Sequence, residues 1–154
     1  MKFREKLDQF LGKILIVLMS LMVINVLWQV FTRFVVGTPS SFTDELARYL
    51  MIWVGVLGAA YVAGKNQHVS IDVFAKKLST ERQKTLFNVV NIIIILFALA
   101  ALVIGGTRLV YISKILGQHS SALQIPLAYV YLVIPISGIL VIYYKISDIL
   151  NRAA

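Results

Sequence analysis

There is no cysteine in the 154 residues, so neither a disulfide framework nor thiol chemistry is available, and this agrees with any compartment. Charge is scarce as well. Only 14% of the residues are charged while 59% are hydrophobic, and the positive mean hydropathy excludes an ordinary soluble globular domain. Acidic residues number seven against fifteen basic ones, and none lies deep within an apolar run. A proton or ion site inside the chain, or a self-sufficient exporter working as a homodimer, would want such a residue. There is no glycine-rich phosphate loop, no cysteine nucleophile and no serine–histidine–acid set of the kind a membrane hydrolase needs.

What the chain has is long uncharged stretches. They run from Ile14 to Thr32, Tyr49 to Gly64, Thr85 to Thr107 and Ile115 to Tyr144, the last broken early by Pro126. A bilayer core of about 30 Å takes roughly 20 apolar helical residues, so the pattern predicts an all-α integral membrane protein of four transmembrane helices in a single membrane domain, 1–154. The spans are expected at about 10–34, 42–64, 84–112 and 125–149. The basic N-terminus "MKFREKLDQFLGK" is not read as a cleaved signal, because its apolar run is long and no small-x-small cleavage site follows.

The net charge of +8 is a topology signal rather than a nucleic-acid footprint. Lys2, Arg4, Lys6 and Lys13 precede span 1; Lys65, Lys76, Lys77, Arg82 and Lys84 lie between spans 2 and 3; Lys145 and Arg152 come at the far end. Only Arg33, Arg48, Arg108 and Lys114 fall on the other side. Both termini and the middle loop are therefore expected in the cytoplasm, with anionic lipid as counter-charge. His68 and His119 then fall on opposite sides of the membrane and cannot jointly hold a haem or metal ion, so no cofactor is expected.

The middle loop carries a second prediction. In "VSIDVFAKKL" the residues Ile71, Phe74, Ala75 and Leu78 share one helical side and Ser70, Asp72, Lys76 and Lys77 the other. A short amphipathic helix at about 69–78, lying in the lipid interface with the first four side chains toward lipid, fits that pattern; a plain connector is the alternative.

Span 2 is the unusual one. Its uncharged run of about 16 residues covers roughly 24 Å, short of the core, so the turn bearing Asp44, Glu45 and Arg48 must enter the membrane boundary. Ser41 and Asp44 are spaced as a capping box, and both carboxylates are within helical reach of Arg48. One reading is a self-paired cap that sets helix depth, helped by Trp53; the other is that Asp44, Glu45, Arg48 and Trp53 face a second membrane protein. Asn25 and Gln29, four apart on span 1, pose the same choice between glue within the chain and a contact to a partner subunit. In span 3, Asn88 and Asn91 are expected to bond between helices and Gly105–Gly106 to admit a close neighbour; in span 4, Pro135 predicts a kink.

The string Glu45-x-x-Arg48, Trp53, Gly58-Ala59-Ala60, His68 and Asp72 resembles the signature of the small membrane subunit, the Q or DctQ-like component, of tripartite ATP-independent periplasmic (TRAP) transporters. The segment "SALQIPLAYVYLVIPISGIL", with Pro126, Tyr131 and Pro135, resembles that family's fourth helix. Nearly the whole chain is covered; Asp44 departs from the second glutamate of many relatives but keeps the charge. The resemblance implies a non-catalytic subunit of the bacterial inner membrane. A large permease subunit would carry the substrate and sodium sites and move like an elevator, while this chain enlarges its fixed scaffold. A periplasmic binding protein would deliver an organic acid, sialic acid or a four-carbon dicarboxylate. Under that reading Asp44, Glu45, Arg48, Trp53, Asn25 and Gln29 face the large subunit, and Thr38, Ser40, Ser41, Gln118, His119 and Gln124 are where a binding protein docks. A membrane anchor of a redox enzyme is the alternative of similar size.

Overall fold

The computed structural model describes residues 2–38, 40–65 and 80–153. The expected interfacial helix, with Ile71, Phe74, Ala75 and Leu78, lies outside the described residues, as do His68 and Asp72. Everything described is helix and connecting loop, without a strand. In order come α1 (Lys2–Phe31), a wider π-helical continuation (Thr32–Val36), α2 (Ser41–Gly64), α3 (Thr80–Phe97), a second π-helical stretch (Ala98–Gly105), α4 (Gly106–Ile115), α5 (Leu127–Tyr131) and α6 (Val133–Ala153). Among the described residues four helical rods, Arg4–Val36, Ser41–Gly64, Arg82–Ile115 and Leu127–Leu150, are long and apolar enough to cross a membrane. Helix is the only economical backbone for such a run, because each N–H and C=O must find its partner within the segment.

The ends of the rods follow local chemistry. Gly37, at φ 77°, closes span 1 in the left-handed conformation that costs glycine nothing. Helix α2 is capped by Ser40, one residue earlier than the expected Ser41: the Ser40 side chain accepts the Thr43 amide at 3.5 Å, and the Thr43 hydroxyl donates to the Ser40 carbonyl at 2.9 Å. Asp44 therefore stands outside the capping arrangement and its carboxylate is left for other partners. Span 4 breaks at Leu132 between α5 and α6. Pro135 explains the break, since it has no N–H for the Tyr131 carbonyl and its ring crowds that group.

The rods pack in the order 1, 2, 4, 3. Leu11 of α1, Leu57 of α2, and Val133 and Tyr144 of α6 form one buried cluster; Ala60 and Ala63 of α2, Ala98 of span 3 and Val141 of α6 form the other. Spans 2 and 4 are thus the inner pair, and spans 1 and 3 are edges whose apolar side chains are largely exposed. Glycine sets the closest approach. A Cβ on Gly138 would lie 2.7 Å from Leu102 Cβ, and one on Gly106 would lie 2.8 Å from Ile134 Cγ2 and 3.0 Å from Pro135 Cδ. Of the expected Gly105–Gly106 pair, Gly106 alone serves a neighbouring helix; Gly105 is exposed. Asn91 is buried and Asn88 exposed, although the two were expected to act alike.

Where α1 begins and α6 ends, a polar cluster ties α1, α2 and α6 together. Arg4 pairs with Asp148 at 2.7 Å, donates to the Gly64 carbonyl and lies over the Tyr144 ring, whose hydroxyl donates to Asp8 at 2.6 Å. Lys145 has no exposed surface and sits 3.5 Å from the Asp148 carboxylate. A cation read from sequence as one of the flanking charges is therefore a core residue, made tolerable by a carboxylate one turn away.

Candidate functional site

The charged turn of α2 does not hold together as one cluster. Asp44 and Arg48, one turn apart, form an exposed ion pair, and Gln29 of α1 donates to the other oxygen of Asp44 at 3.2 Å. Glu45 points elsewhere. Its carboxylate accepts the Ser120 hydroxyl at 2.7 Å and the amides of Ser121, Ala122 and Leu123 at 3.0, 2.8 and 2.9 Å, with the Tyr49 hydroxyl at 3.0 Å. The expectation that both acids flank Arg48 is thus corrected. Three consecutive amides curve round one anion, and a fixed carboxylate fills that concavity better than water does because it satisfies all the donors at once.

This clasp fastens the loop between spans 3 and 4 to the head of span 2. The loop is closed further by Ser120 N to Ile125 O at 2.9 Å, Leu127 N to Gln118 O at 2.9 Å and Gln124 N to Ser120 O at 3.2 Å. Gln124 itself is held at φ 55°, an uncommon conformation for a residue other than glycine, with its side-chain amide donating to Ser121 O at 3.0 Å. Gln118, His119 and Gln124 are exposed on this loop, and Thr38 and Ser41 are exposed beside the start of α2, while Ser40 is engaged as the cap. The Glu45 clasp therefore brings elements of both connecting loops to the same end of the molecule.

The other four residues expected at a partner interface divide in two. Asn25 is buried and its amide donates to the Thr43 carbonyl at 2.7 Å, while Gln29 reaches Asp44; both fasten span 1 to span 2 inside the chain. Trp53 packs into the core, and its indole N–H donates to the Val130 carbonyl at 3.1 Å, beside the break in span 4. Arg48 keeps an outward position, with two thirds of its side chain exposed (66%). Below it on the same helical face come Met51, Gly55, Ala59 and Val62, all exposed, and among the described residues nothing beyond the helix's own backbone lies within 4 Å of a Cβ built on Gly55 or Gly58.

Sequence reasoning missed Tyr49 and Ser120 as partners of Glu45, and Arg4, Asp8, Tyr144 and Asp148 as a cluster. Spacing offered a signal in three places: Glu45 and Tyr49 are one helical turn apart, as are Arg4 and Asp8, and Lys145 lies three residues before Asp148.

The chain was compared with known proteins. It is 27% identical over 138 residues to the sialic acid TRAP transporter small permease protein SiaQ of Vibrio cholerae serotype O1 (strain ATCC 39315 / El Tor Inaba N16961), covering 87% of this chain and 76% of that one. It is 33% identical over 88 residues to the sialic acid TRAP transporter permease protein SiaT of Haemophilus influenzae (strain 86-028NP), covering 57% of this chain but 14% of that longer one. The family model described as tripartite ATP-independent periplasmic transporters, DctQ component, matches residues 22–154 and so takes in the charged turn, the loop it clasps and the broken fourth span. With that match across most of its length, the chain belongs to the DctQ component family of the tripartite ATP-independent periplasmic transporters.

Proposed function

We propose that this chain is the non-catalytic scaffold subunit of a sodium-coupled importer of an organic acid in the bacterial inner membrane, with both termini in the cytoplasm. It would work beside a large permease subunit and receive solute from a periplasmic binding protein. The observation that carries the reading is where the membrane-level polar groups point. Asn25, Gln29, Glu45 and Trp53 are each engaged with another helix or loop of the same chain, which is how a rigid body is built and not how a solute path is lined. A moving transport domain needs a neighbour that stays in place, and a wide, internally cross-tied body resists being dragged through the bilayer.

The contact with the large subunit is accordingly proposed on a different face of α2. Glu45, Trp53 and Asn25 now support it from within, and the outward face of α2, with Asp44, Arg48, Met51, Gly55 and Ala59, is the surface offered to the partner. Small residues four apart let two helix backbones approach closely in lipid. The exposed loop residues Gln118, His119 and Gln124 are the surface offered to the binding protein. Sialic acid is the first substrate to test, because the relatives SiaQ and SiaT carry it in their names, and four-carbon dicarboxylates are the second. A redox-enzyme anchor finds no support among the relatives matched.

The test is reconstitution into vesicles. With the large subunit, the binding protein and a sodium gradient, labelled sialic acid is expected inside the vesicles; leaving out this chain, or supplying it alone, is expected to abolish uptake. Uptake by this chain alone would refute the scaffold reading.

A further inference from the structure

Next to the loop that Glu45 clasps lies a cavity of about 380 Å³, between the end of α4 and the start of α5. Its lining is graded. Val110 and Leu132 lie farther along their spans from the loop, Ser113 sits two residues from the end of span 3 with Lys114 beside it, and Gln118 and His119 belong to the loop. Ser113 is 2% exposed, and its hydroxyl has no hydrogen-bond partner among the described residues. A buried hydroxyl in this position is costly unless something outside the chain pairs with it.

We propose that this cavity is a binding site for the headgroup and glycerol backbone of an anionic glycerophospholipid. Three features favour that occupant. The start of span 4, which lines the site, opens a rod of 24 residues that covers about 36 Å and so extends past the core of about 30 Å toward the headgroup layer. Its mouth carries a lysine, whose ammonium suits a phosphate oxygen, and its floor offers one hydroxyl to an ester or phosphate oxygen. Leu132 and Tyr129, both lining and both exposed, give the acyl chains an apolar way out to the bilayer. Such a lipid would stiffen the junction between spans 3 and 4. The inference does not depend on the transport reading.

The experiment is native mass spectrometry of the full chain in mild detergent, with three probes added separately: palmitoyl-oleoyl phosphatidylglycerol, the diacylglycerol with the same acyl chains, and inorganic phosphate. Retained phosphatidylglycerol, not removed by the diacylglycerol or by millimolar phosphate, is expected. Lys114→Ala and Ser113→Ala are each expected to weaken retention by about tenfold, the loss of a charge-assisted hydrogen bond. Lys114 is exposed, so its variant keeps the fold intact even if a change at Ser113 does not. Equal retention of the diacylglycerol would reduce the site to apolar contact, and displacement by phosphate would make it a free-anion site; either overturns the proposal. So would unchanged retention in both variants, which would leave the Ser113 hydroxyl to water.

Discussion

Glu45 and Ser120 are 75 residues apart in the chain and 2.7 Å apart in space, joined by a hydrogen bond from the serine hydroxyl to the carboxylate. Around that bond three successive amides of the next residues close on the same anion. The head of span 2 thereby acts as the anchor of a loop that belongs to spans 3 and 4, and the short uncharged run of span 2 takes on a purpose. A longer apolar run would carry Glu45 out of reach of the loop or force another residue into its place.

Replacing Glu45 by Gln is therefore expected to loosen the loop rather than the bundle. The side-chain amide presents an N–H to a set of donors, so at least one bond turns repulsive and the concave arrangement opens. Hydrogen–deuterium exchange at Ser121, Ala122 and Leu123 should accelerate by roughly tenfold, while exchange in α6 stays as it was. Unaltered protection at those amides would mean that the loop holds its shape without the carboxylate.

Much of this molecule is legible in its sequence because lipid imposes simple rules. Apolar length and charge breaks mark four rods, and Pro135 and Gly106 act at the helix break and the close approach that their chemistry suggests. Partner identity was harder. Glu45 was within helical reach of Arg48, and nothing local says that three loop amides some 75 residues later compete for it and win. Lys145 was misread for a related reason: a lysine near the end of a span normally reaches for the interface, and only the fold reveals Asp148 and the packed helices around it. Trp53 and Asn25 are polar groups in apolar surroundings, and sequence alone leaves open whether their partners are inside or outside the chain.

Asp148 gives a stability prediction at the opposite end. Both Arg4 and Lys145 contact its carboxylate, and Asp148→Ala would leave those cations with less counter-charge in a buried setting. Removing one member of a buried ion pair typically destabilises by about 3–5 kcal/mol. The variant should accumulate poorly in membranes and unfold at a clearly lower temperature in detergent, whereas Asp44→Ala, at the exposed pair, should not. Equal behaviour of the two variants would show that the buried cluster is dispensable.

The glycines make a paired test of packing. Gly138→Ala would drive a methyl to 2.7 Å from Leu102 Cβ, which is anchored to the span 3 backbone and has no flexible end to swing away. Overpacking of this kind costs about 1–3 kcal/mol. Gly55→Ala meets open space and replaces the poorer helix former by the better, for a gain of up to about 1 kcal/mol. Thermal unfolding of the isolated chain should therefore fall for the first and hold or rise for the second, and the opposite order would contradict the packing between spans 3 and 4.

That neutral response of Gly55 in the isolated chain is what makes it useful for locating the partner. If the outward face of α2 meets the large permease subunit, Gly55→Leu should leave the isolated chain folded yet wedge the two helices apart, because small residues there set how near the backbones come. Arg48→Ala on the same face should weaken the association as well, by leaving Asp44 at the membrane boundary without its nearest cation. Both variants are then expected to reduce recovery of the large subunit in co-purification, and uptake with it, while Val89→Ala, on the exposed face of span 3, changes neither. Full recovery with Gly55→Leu and Arg48→Ala would turn that face toward lipid. It would then leave the edge helices, with their long exposed apolar sides, as the surfaces on which the large subunit is to be sought.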